Sequence, residues 1–353
     1  MQRRTAWRGL CVVVCCLIVT TGATPVPAQE TITLDPSLKG YVKVSGLSGD
    51  LTSIGSDTLN KLMTGWAEAF RKQIPPKAKR GFGDYLADTV TGDAPERKAI
   101  KVLILGKGSS TAPPALIQGK ANLGPMSRPM TETEIEQFES KFGYRPTAFP
   151  VAIDALAIYA NKDNPITGLT MAQVDAIFSK TRRWGYREDI RRWGQVGVTT
   201  GEFANAPINP YGRNGLSGTY GFFKEHALKN GALRDEVKEQ PGSETVMQRV
   251  AEDRAGIGYS SIGYRLSGVR AVPLAEREGQ SFKAPTQENA TDGSYPIWRY
   301  LYIYVNKVPN KPLDPIVREF LKYVYSKEGQ QIVIEKGSFP LPAATVEKEL
   351  QKL

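Results

Sequence analysis

The chain has 353 residues, with 46 Lys and Arg against 36 Asp and Glu and a single histidine, for a formal charge of +10 at pH 7. All 3 cysteines fall within the first 16 residues, which excludes disulfide frameworks and thiol chemistry from everything beyond them. The surplus positive charge favours an anionic partner, but it is scattered rather than gathered into the basic block that grips nucleic acid.

At the N-terminus Arg3, Arg4 and Arg8 precede the apolar run LCVVVCCLIV, and PVPAQE offers small residues for cleavage after Ala28. This is the layout of a secretory signal peptide, and its apolar run is too short for a stop-transfer helix. Removing those 28 residues leaves 353 − 28 = 325, and losing three arginines lowers the charge from +10 to +7. No later run is apolar enough to cross a membrane, so a soluble exported product is expected. A mature chain of this length exceeds what one core usually organises, which predicts two domains.

The next stretch, IGSDTLNKLMTGWAEAF, sets Ser56, Asp57 and Thr58 ahead of an amphipathic helix carrying Leu59, Leu62, Met63, Trp66 and Phe70 on one face. Residues 74–100, rich in Pro, Gly and charge, read as a long surface excursion. KVLILG (101–106) reads as a strand, and Ser109, Ser110 and Thr111 then precede a short helix with Pro113 in its first turn. Thr131 with Glu134, and Thr170 with Gln173, form capping boxes at two further helix starts. ALAIYANK (155–162) and LYIYVNK (301–307) read as strands, each running into an Asn-Lys turn. The alternation predicts an α/β chain with largely parallel sheets. These two strands mark crossings between two lobes, one made of residues 46–152 plus 300–353 and the other of residues 153–299.

YGRNGLSGTYGFFKEHA (211–227) supplies a third glycine-and-hydroxyl helix start, with Arg213 four residues ahead of Ser217, Gly218 and Thr219. Helix N-termini present unpaired N–H groups and the positive end of the dipole, hydroxyls add rotatable donors, and glycine lets a ligand approach the backbone. One such terminus contributes only ~0.3–2 kcal/mol toward an anion. Three that converge with a guanidinium would hold one firmly, whereas three that do not are ordinary caps. Spacing alone leaves both readings open. Catalysis finds no support: the lone His226 has no G-x-S-x-G partner, no cluster has metal-ligand spacing, and no G-x-x-x-x-G-K-[ST] loop is present. A non-enzymatic protein without cofactor or metal is expected.

The segments GSDTLNKLMTGWAEAF, GSSTAPPAL, NLGPMSRPMTETEI, PVAIDALAIYANKDNPI, YGRNGLSGTYGFFKEHAL and GIGYSSIGY, in this order, resemble the periplasmic phosphate-binding proteins of phosphate ABC transporters. The resemblance implies the type II periplasmic-binding-protein fold, two α/β lobes joined by a two-strand hinge with the ligand between them. It further implies phosphate contacts from Ser56, Asp57 and Thr58, from Ser110, from Ser127 with Arg128, and from Arg213, Ser217, Gly218 and Thr219. The implied partners are inorganic phosphate and a membrane permease, with no nucleic acid; the implied setting is the periplasm, and the protein is expected to be a monomer serving phosphate homeostasis.

One departure matters. Arg128 stands where well-studied members carry an aspartate that accepts the phosphate proton. Sulfate has no proton at neutral pH, so a buried carboxylate facing it repels it. Asp57 and Asp154 are the candidates for that acceptor, with Asp57 favoured; Asp154 is alternatively an orienting partner for Arg213 or Arg128. Binding of another oxyanion such as sulfate, and a surface adhesion or scaffolding role for the basic 74–100 excursion, are the competing readings.

Overall fold

A computed structural model describes residues 32–74 and 100–353. The signal-peptide reading and most of the 74–100 excursion therefore lie outside the described residues. Strand β1 (Asp50–Gly55) alternates buried and exposed side chains and pairs in parallel with β2 (Lys101–Gly106). Between them α1 (Asn60–Gln73) buries Leu62, Met63, Trp66, Ala67 and Phe70, the spacing that puts one apolar stripe on the core. The Trp66 indole N–H donates to the Gly329 carbonyl at 2.8 Å, and Phe70 meets Phe320 edge-on at 5.6 Å. Full burial of each large side chain of this stripe contributes about 1.5–3 kcal/mol. Arg71 and Lys72 in the last turn suit the negative end of the dipole.

A 3-10 turn (Ser109–Thr111) leads into α2 (Ala112–Ile117), which carries proline in its first turn as expected. Strand β3 (Gly124–Met126) follows, then α3 (Glu132–Phe142). The Thr131–Glu134 capping box opens α3, and Gly143 closes it at φ 77°, a left-handed geometry that favours glycine. The predicted Thr170–Gln173 box likewise opens α4 (Met171–Phe178), just after the short β5 (Leu169–Thr170).

Strand β4 (Thr147–Asn161) organises the main sheet and is buried from Val151 to its end. Later elements are β6 (Asn209–Arg213), α5 (Gly218–Phe222), a π turn (Phe223–Ala227), β7 (Lys238–Gln240) and α6 (Ser243–Glu252). Strands β8 (Gly256–Ser261), β9 (Val269–Val272) and β10 (Leu274–Ala275) precede α7 (Gln287–Thr291) and β11 (Trp298–Val305). Helices α8 (Pro315–Tyr325), α9 (Lys327–Glu335) and α10 (Ala343–Leu350) complete the chain. The main sheet runs β3-β11-β4-β8-β6-β7, with β9 also on β4, while β10 pairs with β5 apart from it.

The sheet is mixed, which corrects the expectation of largely parallel strands. β4 runs antiparallel to β11, β8 and β9, and β11 antiparallel to β3; parallel pairing holds for β6 with β7 and β8, β1 with β2, and β5 with β10. The strands carrying the two aliphatic-aromatic runs, β4 and β11, are antiparallel partners, but the runs themselves are offset: Leu301–Val305 lies against residues 147–152, while Leu156–Asn161 pairs with β8 and β9. Over Thr147–Ala155 β4 pairs with β11, and from Leu156 onward it pairs with β8. This change of partner is what one long apolar strand makes possible.

Candidate functional site

The three helix starts singled out in the sequence do meet. Ser56 N–H donates to the Pro125 carbonyl at 2.7 Å and Gly108 N–H to the Gly55 carbonyl at 2.8 Å, fastening the ends of β1, β2 and β3 to one another. Ser56, Thr58, Ser109, Ser127, Ser217 and Thr219 are all buried. The Thr58 and Thr219 hydroxyls lie 2.8 Å apart, and the Ser127 hydroxyl lies 3.5 Å from Thr219. Ser109 Oγ accepts the Ser127 N–H at 3.0 Å. Gly218 sits so close that a Cβ there would fall 2.2 Å from Ser109 Oγ and 2.7 Å from Ser127 Oγ. Ser217 caps α5, its hydroxyl accepting the Tyr220 N–H.

Beside this hydroxyl cluster Arg213 is 1% exposed, so its charge has to be met by protein or ligand groups. Its Nη1 donates to Ser243 Oγ at 2.6 Å and lies 3.2 Å from Asp57 Oδ2, while Nη2 donates to the Pro241 carbonyl at 3.1 Å. Its Nε is buried with no acceptor among the described residues. Burial pushes this guanidinium below its ordinary value, and Asp57 pulls the other way. Asp57 does not cap α1. Its Oδ2 accepts the Ser243 N–H at 2.9 Å, and its carbonyl accepts from the Tyr264 hydroxyl at 2.9 Å. Burial and the nearby Asp57 raise Tyr264 well above its ordinary range, which keeps that hydroxyl a donor. Tyr259, likewise raised by burial, accepts the Arg213 N–H at 3.0 Å.

Asp154 pairs neither with Arg213 nor with Arg128, the two partners the sequence suggested. It pairs with Arg299, which the antiparallel register of β11 on β4 places directly opposite. Arg299 Nε and Nη2 reach Asp154 Oδ2 at 2.9 and 2.8 Å, and the other carboxylate oxygen accepts from Ser261 Oγ at 2.7 Å and Ile262 N–H at 3.2 Å. Burial pushes Asp154 upward, with Arg299 and Ser261 pulling it back. Arg299 Nη2 also donates to Thr219 Oγ1 at 3.0 Å, and its Nη1 is buried with no acceptor among the described residues. Sequence reasoning missed this second arginine. The signal was there: a charged residue inside the otherwise apolar run IWRYLYIYV, matched by the one acid of VAIDALAIYAN.

Ser110 and Arg128 stand to one side. Arg128 forks onto Glu134 at 2.7 and 2.8 Å and donates to Ser110 Oγ at 3.2 Å, so the Ser109 hydroxyl, not that of Ser110, joins the cluster. Ser110 N–H instead donates to the Leu216 carbonyl at 3.2 Å, bringing the second and third helix starts into contact. The site is thus a wall of hydroxyls and N–H groups flanked by two buried guanidiniums and two carboxylates. Such an array suits an oxyanion. Among the described residues no group of His, Cys, Asp and Glu could hold a metal ion.

Residues 43–328 match the family model of the PBP superfamily domain. The chain is 50% identical to the phosphate-binding protein PstS of Pseudomonas aeruginosa over 326 residues, 92% of this chain and 94% of that one. Its fold is similar to an ABC-type phosphate transport receptor from Vibrio cholerae (TM-score 0.57, 22% identity, 82% of this chain and 100% of that one). It is also similar to a phosphate-binding protein from Stenotrophomonas maltophilia (TM-score 0.59, 14% identity, covering 87% and 94%).

Proposed function

The chain belongs to the PBP superfamily and, within it, to the PstS phosphate-binding proteins, and on that premise we propose that it captures inorganic phosphate and delivers it to an ABC-type membrane permease. The observation that carries the site assignment is the pair of buried guanidiniums, each with an N–H that meets no acceptor among the described residues, beside the Thr58–Thr219–Ser127 hydroxyls. Thr58, Ser127, Arg213 and Thr219 donate to phosphate oxygens, with Ser56, Ser217 and Gly218 shaping the wall; Ser110 and Arg128 brace its rim. Charge-assisted hydrogen bonds of ~1.5–3 kcal/mol each provide the affinity.

Asp57 accepts the phosphate proton. Sulfate, which has none at neutral pH, leaves that carboxylate facing an oxyanion and is rejected. Residues 46–152 with 300–353 form one lobe and residues 153–299 the other, with β4 and β11 as the hinge between them. The change of β4 partners at Ala155–Leu156 supports that boundary. Ligand contacts from both lobes bias the hinge toward closure. The protein acts as a monomeric binder rather than an enzyme, exported to the periplasm by a signal peptide cleaved after Ala28. Calorimetry of the mature protein with phosphate and sulfate side by side tests this reading: heat of binding from phosphate alone is expected, and sulfate binding equal to phosphate would refute it.

A further inference from the structure

The loop between Arg213 and Ser217 contains a bond that the chain can rearrange by itself. When glycine follows asparagine, the glycine nitrogen can attack the asparagine side-chain amide with little hindrance, because glycine has no Cβ to shield it. The chain has two such pairs, Asn214–Gly215 and Asn230–Gly231. The fold treats them oppositely.

Asn230–Gly231 is locked. Gly231 is buried, its N–H donates to the Leu228 carbonyl at 2.7 Å, and a Cβ there would fall 2.5 Å from Thr181 Oγ1. The nitrogen that would attack is both engaged and walled in. Asn214–Gly215 is open. The Asn214 carbonyl accepts the Ser217 N–H at 3.0 Å, closing a four-residue turn in which Gly215 holds the second position, whose N–H such a turn leaves unused. Neither the Gly215 N–H nor the Asn214 side-chain amide has a hydrogen-bond partner among the described residues. Gly215 is exposed, Asn214 is half-buried, and a Cβ on Gly215 would meet nothing within 4 Å.

We propose that Asn214–Gly215 is a self-modification site whose conversion to aspartate and isoaspartate turns down phosphate capture; the effect on capture rests on the phosphate reading. The Gly215 nitrogen bonds to Asn214 Cγ, the Cγ–Nδ2 bond breaks, and the proton from the Gly215 nitrogen leaves with the amide as ammonia. Water then opens the succinimide ring so formed. Opening at Cγ gives aspartate, and opening at the main-chain carbonyl gives isoaspartate, with the chain rerouted through the side chain. Either route consumes one water and releases one ammonia, and nothing is oxidised or reduced.

Both products place a carboxylate, ionised at neutral pH, on the residue next to Arg213, where it opposes an incoming anion. Isoaspartate does more. It removes the main-chain carbonyl that accepts the Ser217 N–H and lengthens the turn by one atom. That displaces Leu216, whose carbonyl holds the Ser110 N–H at 3.2 Å, and Ser217, which caps α5.

The test is incubation of the mature protein at growth temperature and mildly alkaline pH, with conversion located by peptide mass mapping and isoaspartate detected by enzymatic methylation. Conversion at position 214 should outpace that at 230 about tenfold or more, because Gly231 reacts only when its bond opens. In denaturant the two positions should react at similar rates. Gly215→Ala, which the open space accommodates, should slow conversion at 214 about tenfold. Its phosphate affinity before incubation should stay within about twofold of the parent, and incubation should no longer lower it. Asn214→Asp should weaken phosphate binding by about two- to fivefold at low salt and by less at high salt. The isoaspartate form, separated by ion exchange, should bind about tenfold more weakly or worse. Conversion at 230 that matches or leads 214 in the folded protein, or none at 214 while the denatured chain reacts, overturns the site. Unchanged affinity in both Asn214→Asp and the isoaspartate form overturns the effect on capture. A parent protein that binds no phosphate before incubation refutes the phosphate reading itself, an outcome separate from where the chain converts.

Discussion

Gly218→Ala is the sharpest probe of the proposed closed site, because the nearest atoms its methyl group would meet all belong to Ser109 and Ser127. A Cβ at this position falls 2.2 Å from Ser109 Oγ, 2.7 Å from Ser109 Cβ and 2.7 Å from Ser127 Oγ. Ordinary contact between such atoms is about 3.5 Å, so the Ser109–Ser127 wall has to retreat by roughly 1 Å. Overpacking of this kind costs ~1–3 kcal/mol, which corresponds to Kd weakened ~5- to 150-fold. The opposing atoms come from segments 109–127, across the proposed cleft, so an opening of the proposed hinge would relieve this clash. There the substitution is neutral or helpful, since alanine is favoured over glycine within a helix by about 1 kcal/mol. Two readouts then move in opposite senses. Calorimetry should show weaker phosphate binding, while the melting temperature without phosphate should hold steady or rise by a few degrees. Wild-type affinity in this variant would refute the closed geometry, and a parallel loss of ligand-free stability would show that Gly218 matters for folding rather than for closure.

Other perturbations follow from the same contacts. Arg213→Met removes the buried fork and should weaken phosphate binding by ~10- to 150-fold per charge-assisted bond lost, with Arg213→Lys recovering only part of it; calorimetric affinity within a factor of two of wild type would remove Arg213 from the site. Asp57→Asn keeps the shape of the acceptor without its charge and should let sulfate compete with phosphate in displacement calorimetry; sulfate that still fails to compete would show that Asp57 is not the selector. Glu134 is pushed up by burial, but the Arg128 fork and Thr131 outweigh this and hold it below its ordinary 4.5. Its stabilisation is therefore fully present above about pH 4.5 and is lost as pH falls through the lower folded-state value. Melting curves should accordingly place Glu134→Gln below wild type at pH 6 to 7, with the gap narrowing below about pH 4.5; a gap constant with pH would mean that the carboxylate charge contributes nothing.

Local physics made much of the fold legible. The stripe Leu62–Met63–Trp66–Phe70, the two capping boxes and Pro113 each follow from interactions within a few residues, and each stands where the sequence indicated. Strand direction was a different matter. ALAIYANK and LYIYVNK are both apolar enough for a buried strand, but nothing in either says that the first pairs with β8 and β9 and the second with residues 147–152, all antiparallel, since that depends on the path of the intervening chain. The site divides in the same way. Thr58 and Thr219, whose hydroxyls the structure brings together, and Arg213 beside them stood out because glycine and hydroxyl residues mark the starts of helices. Arg299 was hidden in a strand, where its partner Asp154 is set by register rather than by spacing. The choice of Ser109 over Ser110 depends on the 3-10 turn that rotates one hydroxyl toward Ser127 and leaves the other to Arg128.

The bonds that close the cluster also set a clock. Thr58 holds Thr219, Asp57 holds Ser243 and Arg213, Tyr264 holds the Asp57 carbonyl, and Ser110 holds Leu216. On the proposed phosphate reading, an anion held behind these contacts leaves only when they part. Its residence time is then the waiting time for unlatching, not for desorption, and release should be a single exponential that excess competitor does not accelerate. A downstream partner that pries these few contacts apart would shorten that wait without ever touching the anion.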